Sequence, residues 1–210
     1  MQIKVSHIEK TFSITDFENE SWAKTEDALI DKYWSGENAP NGRHFKTKVL
    51  WSDSALYVQF EANQTEPPIV SDMPDLKTKT IGLWDRDVCE IFVAPDIQEP
   101  ERYFEFEIAP TGEWLDLKIH QLPEKRETDF DFTSGMQSAA KIEKNKIIMA
   151  MKISWSAFGK TPKVNDVWKG NLFRCVGSGA TRGYLAWSPT ETAKPNFHVP
   201  EAFGEFKFSK

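Results

Sequence analysis

Apolar and polar residues alternate with a period of two through most of this chain, and no stretch sustains the three-to-four-residue period of a helix. The run KTKVLWSDSALYVQFEA (46–62) alternates on both sides of Ser52-Asp53-Ser54. It predicts a hairpin whose apolar surface comes from Val49, Trp51, Leu56, Val58 and Phe60. VCEIFVAP, RYFEFEIAPTGEWLDLKIH, AAKIEKNKIIMAMKIS and WKGNLFRCVG predict further strands, with turns at Thr111-Gly112 and Lys144-Asn145. One helical turn is expected around SWSAFG (154–159), and a long loop from Gln64 to Lys79, where Pro, Asp, Thr and Lys replace the alternation. Short strands at this spacing predict an all-β fold: an antiparallel β-sandwich of jelly-roll or immunoglobulin-like type, with little helix, forming a single domain over residues 1–210.

Composition narrows the function. The 210 residues are 40% hydrophobic, enough for one core, and carry a formal net charge of −6 with no long Lys/Arg cluster, which disfavours nucleic acid. No apolar run is long enough to cross a bilayer, so no membrane partner is expected. The stretch MQIKVSHIEK lacks the apolar core of a secretory signal, which leaves a cytoplasmic chain or one given without its export signal. Cys89 and Cys175 lie inside strand-like runs without a CxxC spacing, so they read as buried free thiols and make no zinc site. Eight tryptophans exceed what packing alone needs, and Trp is well suited to binding faces.

Two stretches carry candidate chemistry. In IGLWDRDVCEIFV (81–93), Trp84 stands at the mouth of a strand, followed by Asp87 and Glu90 at intervals of three. Ionised carboxylates are the best acceptors for vicinal hydroxyls. Residues three apart in a strand face opposite sides, so Asp87 and Glu90 cannot both serve one face of a regular strand. The structural alternative is that Asp87 caps a loop and Glu90 pairs with a basic neighbour such as Arg174. In GYLAWSPTETAKPNFHVPEAFGEFKF (183–208), Trp187 is followed by a proline-punctuated loop through His198, and Phe203-Gly204 turns into the last strand. Proline limits the loop's conformations, so its side chains are held at lower entropic cost. With no metal set or acid/base partner nearby in sequence, His198 reads first as a structural histidine and second as a ligand contact.

LWDRDVCEIFVAP, RYFEFEIAPTG, NLFRC and YLAWSPT…PNFHVPEAFGEFKF, in this order, resemble the family 9 carbohydrate-binding modules, particularly their stand-alone bacterial relatives; the match runs from Lys46 to Phe208. The resemblance implies a β-sandwich that holds a sugar between two tryptophans while charged and amide side chains grip its hydroxyls. Carried over by position, Trp84 and Trp187 match the two plates, and Asp87 and Glu90 the two carboxylates. Where sugar-binding members place an arginine on the next strand, this chain has FEFEIAP, with Glu105 and Glu107. Arg174 is then the substitute donor, or else the partner of Glu90 or Glu107; Asn171 is an added amide or a strand-end residue.

The resemblance implies a non-catalytic module that binds a saccharide or oligosaccharide end, supports polysaccharide degradation beside a separate glycoside hydrolase, and works in a secreted or periplasmic setting. Glycoside hydrolysis by paired carboxylates is the minority reading: such pairs sit about 5 Å apart in retaining and about 6.5–9.5 Å in inverting enzymes, but no motif marks a raised-pKa acid. A protein-interaction sandwich without sugar binding is the other alternative. No cofactor or metal is expected. Some relatives carry structural calcium, but Asp53, Asp72, Asp75 and Asp131 do not form a regularly spaced acidic loop.

Overall fold

The computed structural model describes residues 1–210. Thirteen strands follow in chain order: β1 (Gln2–His7), β2 (Ala28–Ile30), β3 (Phe45–Trp51), β4 (Ala55–Asn63), β5 (Val88–Ala94), β6 (Arg102–Ile108) and β7 (Trp114–Gln121), then β8 (Arg126–Asp129), β9 (Gln137–Glu143), β10 (Lys146–Ser154), β11 (Val167–Val176), β12 (Gly183–Ala186) and β13 (Gly204–Ser209). The one α-helical turn, α1 (Trp155–Phe158), stands where SWSAFG predicts it and ends on Gly159. The hairpin of β3 and β4 turns at residues 52–54, and its five predicted apolar residues are all buried. Thr111-Gly112 and Lys144-Asn145 turn β6 into β7 and β9 into β10, and no strand interrupts residues 64–87.

The strands hydrogen-bond in the order β8-β7-β6-β5-β11-β13-β1-β3-β4-β10-β9, with β12 on β11 and β2 on β3. Besides β5 on one edge, β11 serves two partners on the other: its first residues pair with β13 and its last four with β12. The sheet curls so that β3, β4 and β10 from one half and β5, β6, β11 and β13 from the other contribute to one core, with Phe45, Phe60, Phe106, Trp168 and Phe208 among its largest members. This mostly-β, curled sheet is consistent with a sandwich. Contrary to the antiparallel sandwich expected from the sequence, it is not antiparallel throughout: β1 runs parallel to β13, from Gln2↔Glu205 to Ser6↔Ser209, and parallel to β3. The partners of β1 lie far along the chain, so no tight turn dictates the direction of the pairing.

Because side chains alternate across a sheet, β5, β6 and β11 each have two unlike faces. Cys89, Ile91, Val93, Phe104, Phe106, Ile108, Leu172 and Val176 point into the main core. Val88, Phe92, Tyr103, Phe173 and Cys175 point the other way, into a second apolar cluster with Leu115, Leu117 and Ile119 of β7 and with Phe197 and Phe203. The candidate site lies over this second face. Both cysteines are buried free thiols, Cys89 on the core face and Cys175 on the other; burial pushes the Cys89 thiol up to about 12.

Candidate functional site

A cavity of about 610 Å³ opens over the second face. Its floor includes Glu90 of β5, Glu105 of β6 and Cys175 of β11; its walls include Trp84, Tyr184, Arg182, Arg126 and the loop Pro195–His198. Trp84 lies in the short helical turn Leu83–Asp85, which the chain enters through Gly82 at φ +81°, a conformation that suits glycine. Trp84 is 36% exposed at the cavity rim, while its neighbour Leu83 is buried in the second cluster. Arg182 ties this turn down, donating to the carbonyls of Trp84 (2.5 Å), Arg86 (2.8 Å) and Gly177 (2.7 Å). The same guanidinium lies 5.5 Å from the centre of the Tyr184 ring, a cation–π contact.

The loop after β12 is held by aromatic contacts. Phe197 stacks on Phe173 at 4.0 Å with an interplanar angle of 11°, and Trp34 Nε1 donates to the carbonyl of Thr192 at 3.1 Å. The half-buried His198 places Nδ1 2.7 Å from the Tyr103 hydroxyl. Burial, with Arg126 adding to it, pulls the imidazole down to about 3, so it is neutral at ordinary pH.

Three glutamates occupy the floor. Glu90 and Glu107 are directly opposite across β5 and β6, and Glu105 is two residues along the same face of β6. Their carboxylates approach within 4.8 Å of one another, all three buried. Burial raises the carboxyl pKa of each; repulsion from Glu105 raises that of Glu90 further, and repulsion from Glu90 and Glu105 that of Glu107. Cys175 Sγ donates to Glu90 Oε1 at 3.5 Å, whereas neither oxygen of Glu107 nor Oε2 of Glu105 has a hydrogen-bond partner outside the trio; the Glu105 and Glu107 carboxyls contact each other. Glu90 and Glu105 reach the cavity surface and Glu107 lies behind them.

Trp84, Glu90 and His198 thus share the cavity with Glu107 at its back, but the other sequence candidates go elsewhere. Trp187 is 5% exposed and stacks on Phe206 in the main core, its ring over Gly204, where even a Cβ would come within 2.4 Å. The pleat explains this placement: Leu185 opposes Arg174 on the core face, so Trp187, two residues on, takes that face too, and Tyr184 takes the cavity face. The slot between Trp84 and Trp187 does not form. Asp87 turns to the core side and caps a loop, accepting from the Gly177 amide (2.8 Å) and Gln64 Nε2 (3.3 Å); it takes the face opposite to Glu90, as the spacing of three requires.

Arg174 also points to the core side. It donates to the carbonyls of Arg43 and Asn63, both at 2.7 Å, and to Gln64 Oε1, so it is neither a cavity donor nor the partner of Glu90 or Glu107. Asn171 is fully buried and stitches β11 to the residue after Trp187, donating to the Ser188 carbonyl and accepting from its amide. The basic groups that do face the cavity, Arg126 and Arg182, escaped sequence reading because one sits on a four-residue edge strand and the other in a loop. Tyr184 was within reach of it, since alternation through GYLAW assigns Tyr184 and Trp187 to opposite faces.

Three solved structures resemble this one over nearly their whole length. A candidate carbohydrate-binding protein from Bacteroides uniformis ATCC 8492 aligns with a TM-score of 0.77 at 18% identity, covering 99% of each chain. A family 9 carbohydrate-binding module from Caldicellulosiruptor kristjanssonii in complex with cellotriose aligns at 0.71 and 17% identity, covering all of this chain and 94% of that one. The glucose complex of a family 9 module from the same organism aligns at 0.68 and 16%, covering 100% and 96%. These likenesses concern the fold. No curated protein matches the chain. The sequence model of the family described as "Carbohydrate family 9 binding domain-like" matches residues 16–210, and the chain therefore belongs to that family of non-catalytic binding domains.

Proposed function

We propose that the chain binds a saccharide, as a monosaccharide or an oligosaccharide end, in the cavity beside Trp84. The observation that carries this reading is a half-open aromatic plate above a concave, charged floor. A pyranose offers apolar C–H faces and a rim of hydroxyls, which aromatic walls and a few fixed polar groups suit well. A volume of about 610 Å³ is in the usual range for small-ligand sites. Tyr184 takes the role of the second plate that Trp187 cannot fill, and Arg126, Arg182 and Glu90 supply donors and acceptors at its edges. The complexes of the Caldicellulosiruptor modules make glucose and cello-oligosaccharides the first ligands to try. In this reading the chain is one domain that acts without catalysis outside the cytoplasm, bringing a separate glycoside hydrolase to its polysaccharide.

Isothermal titration calorimetry with glucose, cellotriose and glucuronic acid tests the proposal. At least one sugar is expected to bind saturably, with affinity falling about tenfold or more in Trp84→Ala, equivalent to about 1.4 kcal/mol. Trp84 is at the rim, so that variant should unfold within about 0.5 kcal/mol of the native chain. No heat at millimolar sugar, or unchanged affinity in Trp84→Ala, rejects the reading and favours a protein-interaction module.

A further inference from the structure

We infer that the floor of the cavity is a binding site for one calcium ion, held by Glu90, Glu105 and Glu107. Calcium–oxygen bonds of about 2.3–2.6 Å let one ion bridge oxygens up to about 5 Å apart. The three carboxylates lie within 4.8 Å of one another. Apart from contact between the Glu105 and Glu107 carboxyls themselves, both oxygens of Glu107 and Oε2 of Glu105 are buried without a partner, a condition that native proteins seldom leave unexplained. The neighbouring buried carboxylates are treated differently: Asp116, Glu113 and Asp87 have Lys79, Arg86 and Arg182 at 2.8, 3.1 and 3.9 Å. Like charges opposite each other on adjacent strands repel, as Glu90 and Glu107 must when ionised, unless a cation lies between them.

The chemistry of the donors selects the ion. Three carboxylates form an all-oxygen set, which favours hard cations, and up to six oxygens in flexible geometry suit calcium better than the strict octahedron of magnesium. Glu90 and Glu105 border the cavity, which gives an ion a way in and leaves room for water in its outer coordination positions. Glu107 completes the shell from behind, where the ammonium of an amino sugar could not reach it. The ligands come from two strands, and Glu90 is separated from the other two by more than a dozen residues, so no metal motif appears in the sequence. This goes beyond the saccharide reading and stands or falls without it.

The test uses the whole chain stripped with EDTA and titrated calorimetrically with calcium chloride, with magnesium chloride as a second arm and no sugar present. Binding of one calcium per chain is expected, with weaker or no binding of magnesium and a calcium-dependent rise in Tm. Loss of a ligating charge in Glu107→Gln or Glu105→Gln should weaken calcium by roughly 100-fold or more, beyond the range seen for supporting residues. Each variant should also melt higher than the native chain without metal, because a buried repulsion is gone. Asp75→Asn, which alters an exposed loop carboxylate, should bind calcium normally. A native chain that neither binds calcium nor melts higher with it overturns the inference, even if both Gln variants fail to fold. Undiminished calcium binding in a folded Glu107→Gln does so as well. Glucosamine binding that is lost in Glu105→Gln, with no calcium response, would reassign the floor to an amino sugar.

Discussion

The two faces of β5, β6, β7 and β11 bury charge in opposite ways. On the core side, Asp87, Asp116 and Arg174 are all partnered: Asp87 by an amide and Gln64, Asp116 by Lys79 and Ser134, Arg174 by carbonyls and Gln64. On the cavity side, Glu90, Glu105 and Glu107 gather with almost no donors. A satisfied buried charge holds segments together, whereas removing the partner of one, or never supplying it, costs the fold stability. Identical residue chemistry on one set of strands thus divides into scaffold and site, and the pleat draws the line.

Trp187→Ala tests this division most severely. It removes a buried ring from the main core, and a cost of about 3–5 kcal/mol is expected in urea unfolding, with sugar affinity of the folded fraction unchanged. A sugar-binding defect at full stability would place Trp187 on the site side after all. Arg174→Met comes next. It strands the carbonyls of Arg43 and Asn63 and removes a charge near Asp87, so a loss of about 3 kcal/mol or more is expected from the same measurement. A stable variant with altered sugar binding would contradict the scaffold role.

The third expected effect is smaller and depends on pH. The imidazole of His198 lies at about 3 in the fold, below the roughly 6.5 of an exposed histidine, so as pH falls the unfolded chain takes up the proton first. Its contribution is intact above about pH 6.5 and drains away as pH falls towards 3, up to about 5 kcal/mol in total. The glutamates act in the opposite sense, since their raised values favour the fold at low pH. Both chains share that contribution, so subtracting the stability curve of His198→Gln from the native curve isolates the histidine. Parallel curves between pH 7 and pH 4 would show that its ring takes up a proton in the fold as readily as in the unfolded chain.

The fold was legible where partners are close in sequence. Period-two alternation and short polar turns located the β3–β4, β6–β7 and β9–β10 hairpins, because each turn brings its own strands together. The parallel β1–β13 pair was not legible, since no local feature records a partner some 200 residues away. At the site, Trp84 and Glu90 stood out as an aromatic and an acid at the head of a strong strand. Tyr184 was hidden behind the larger signal of Trp187, although parity within GYLAW separates them. Arg126 and Arg182 had no local pattern to betray them, and the meeting of Glu90 with Glu105 and Glu107 depended on register, which a hydrophobic pattern constrains only to the correct face.

The parallel pairing of the first and last strands has a mechanical side. Gln2 and Glu205 lie at one end of the ladder, Ser6 and Ser209 at the other. Tension that pulls the chain outward from Gln2 and from Ser209 therefore slides β1 along β13, and every rung between them bears load at once. A hairpin pulled from its open end fails one rung at a time, like a zipper. Force applied through the first and last strands therefore loads this pair along its most resistant direction.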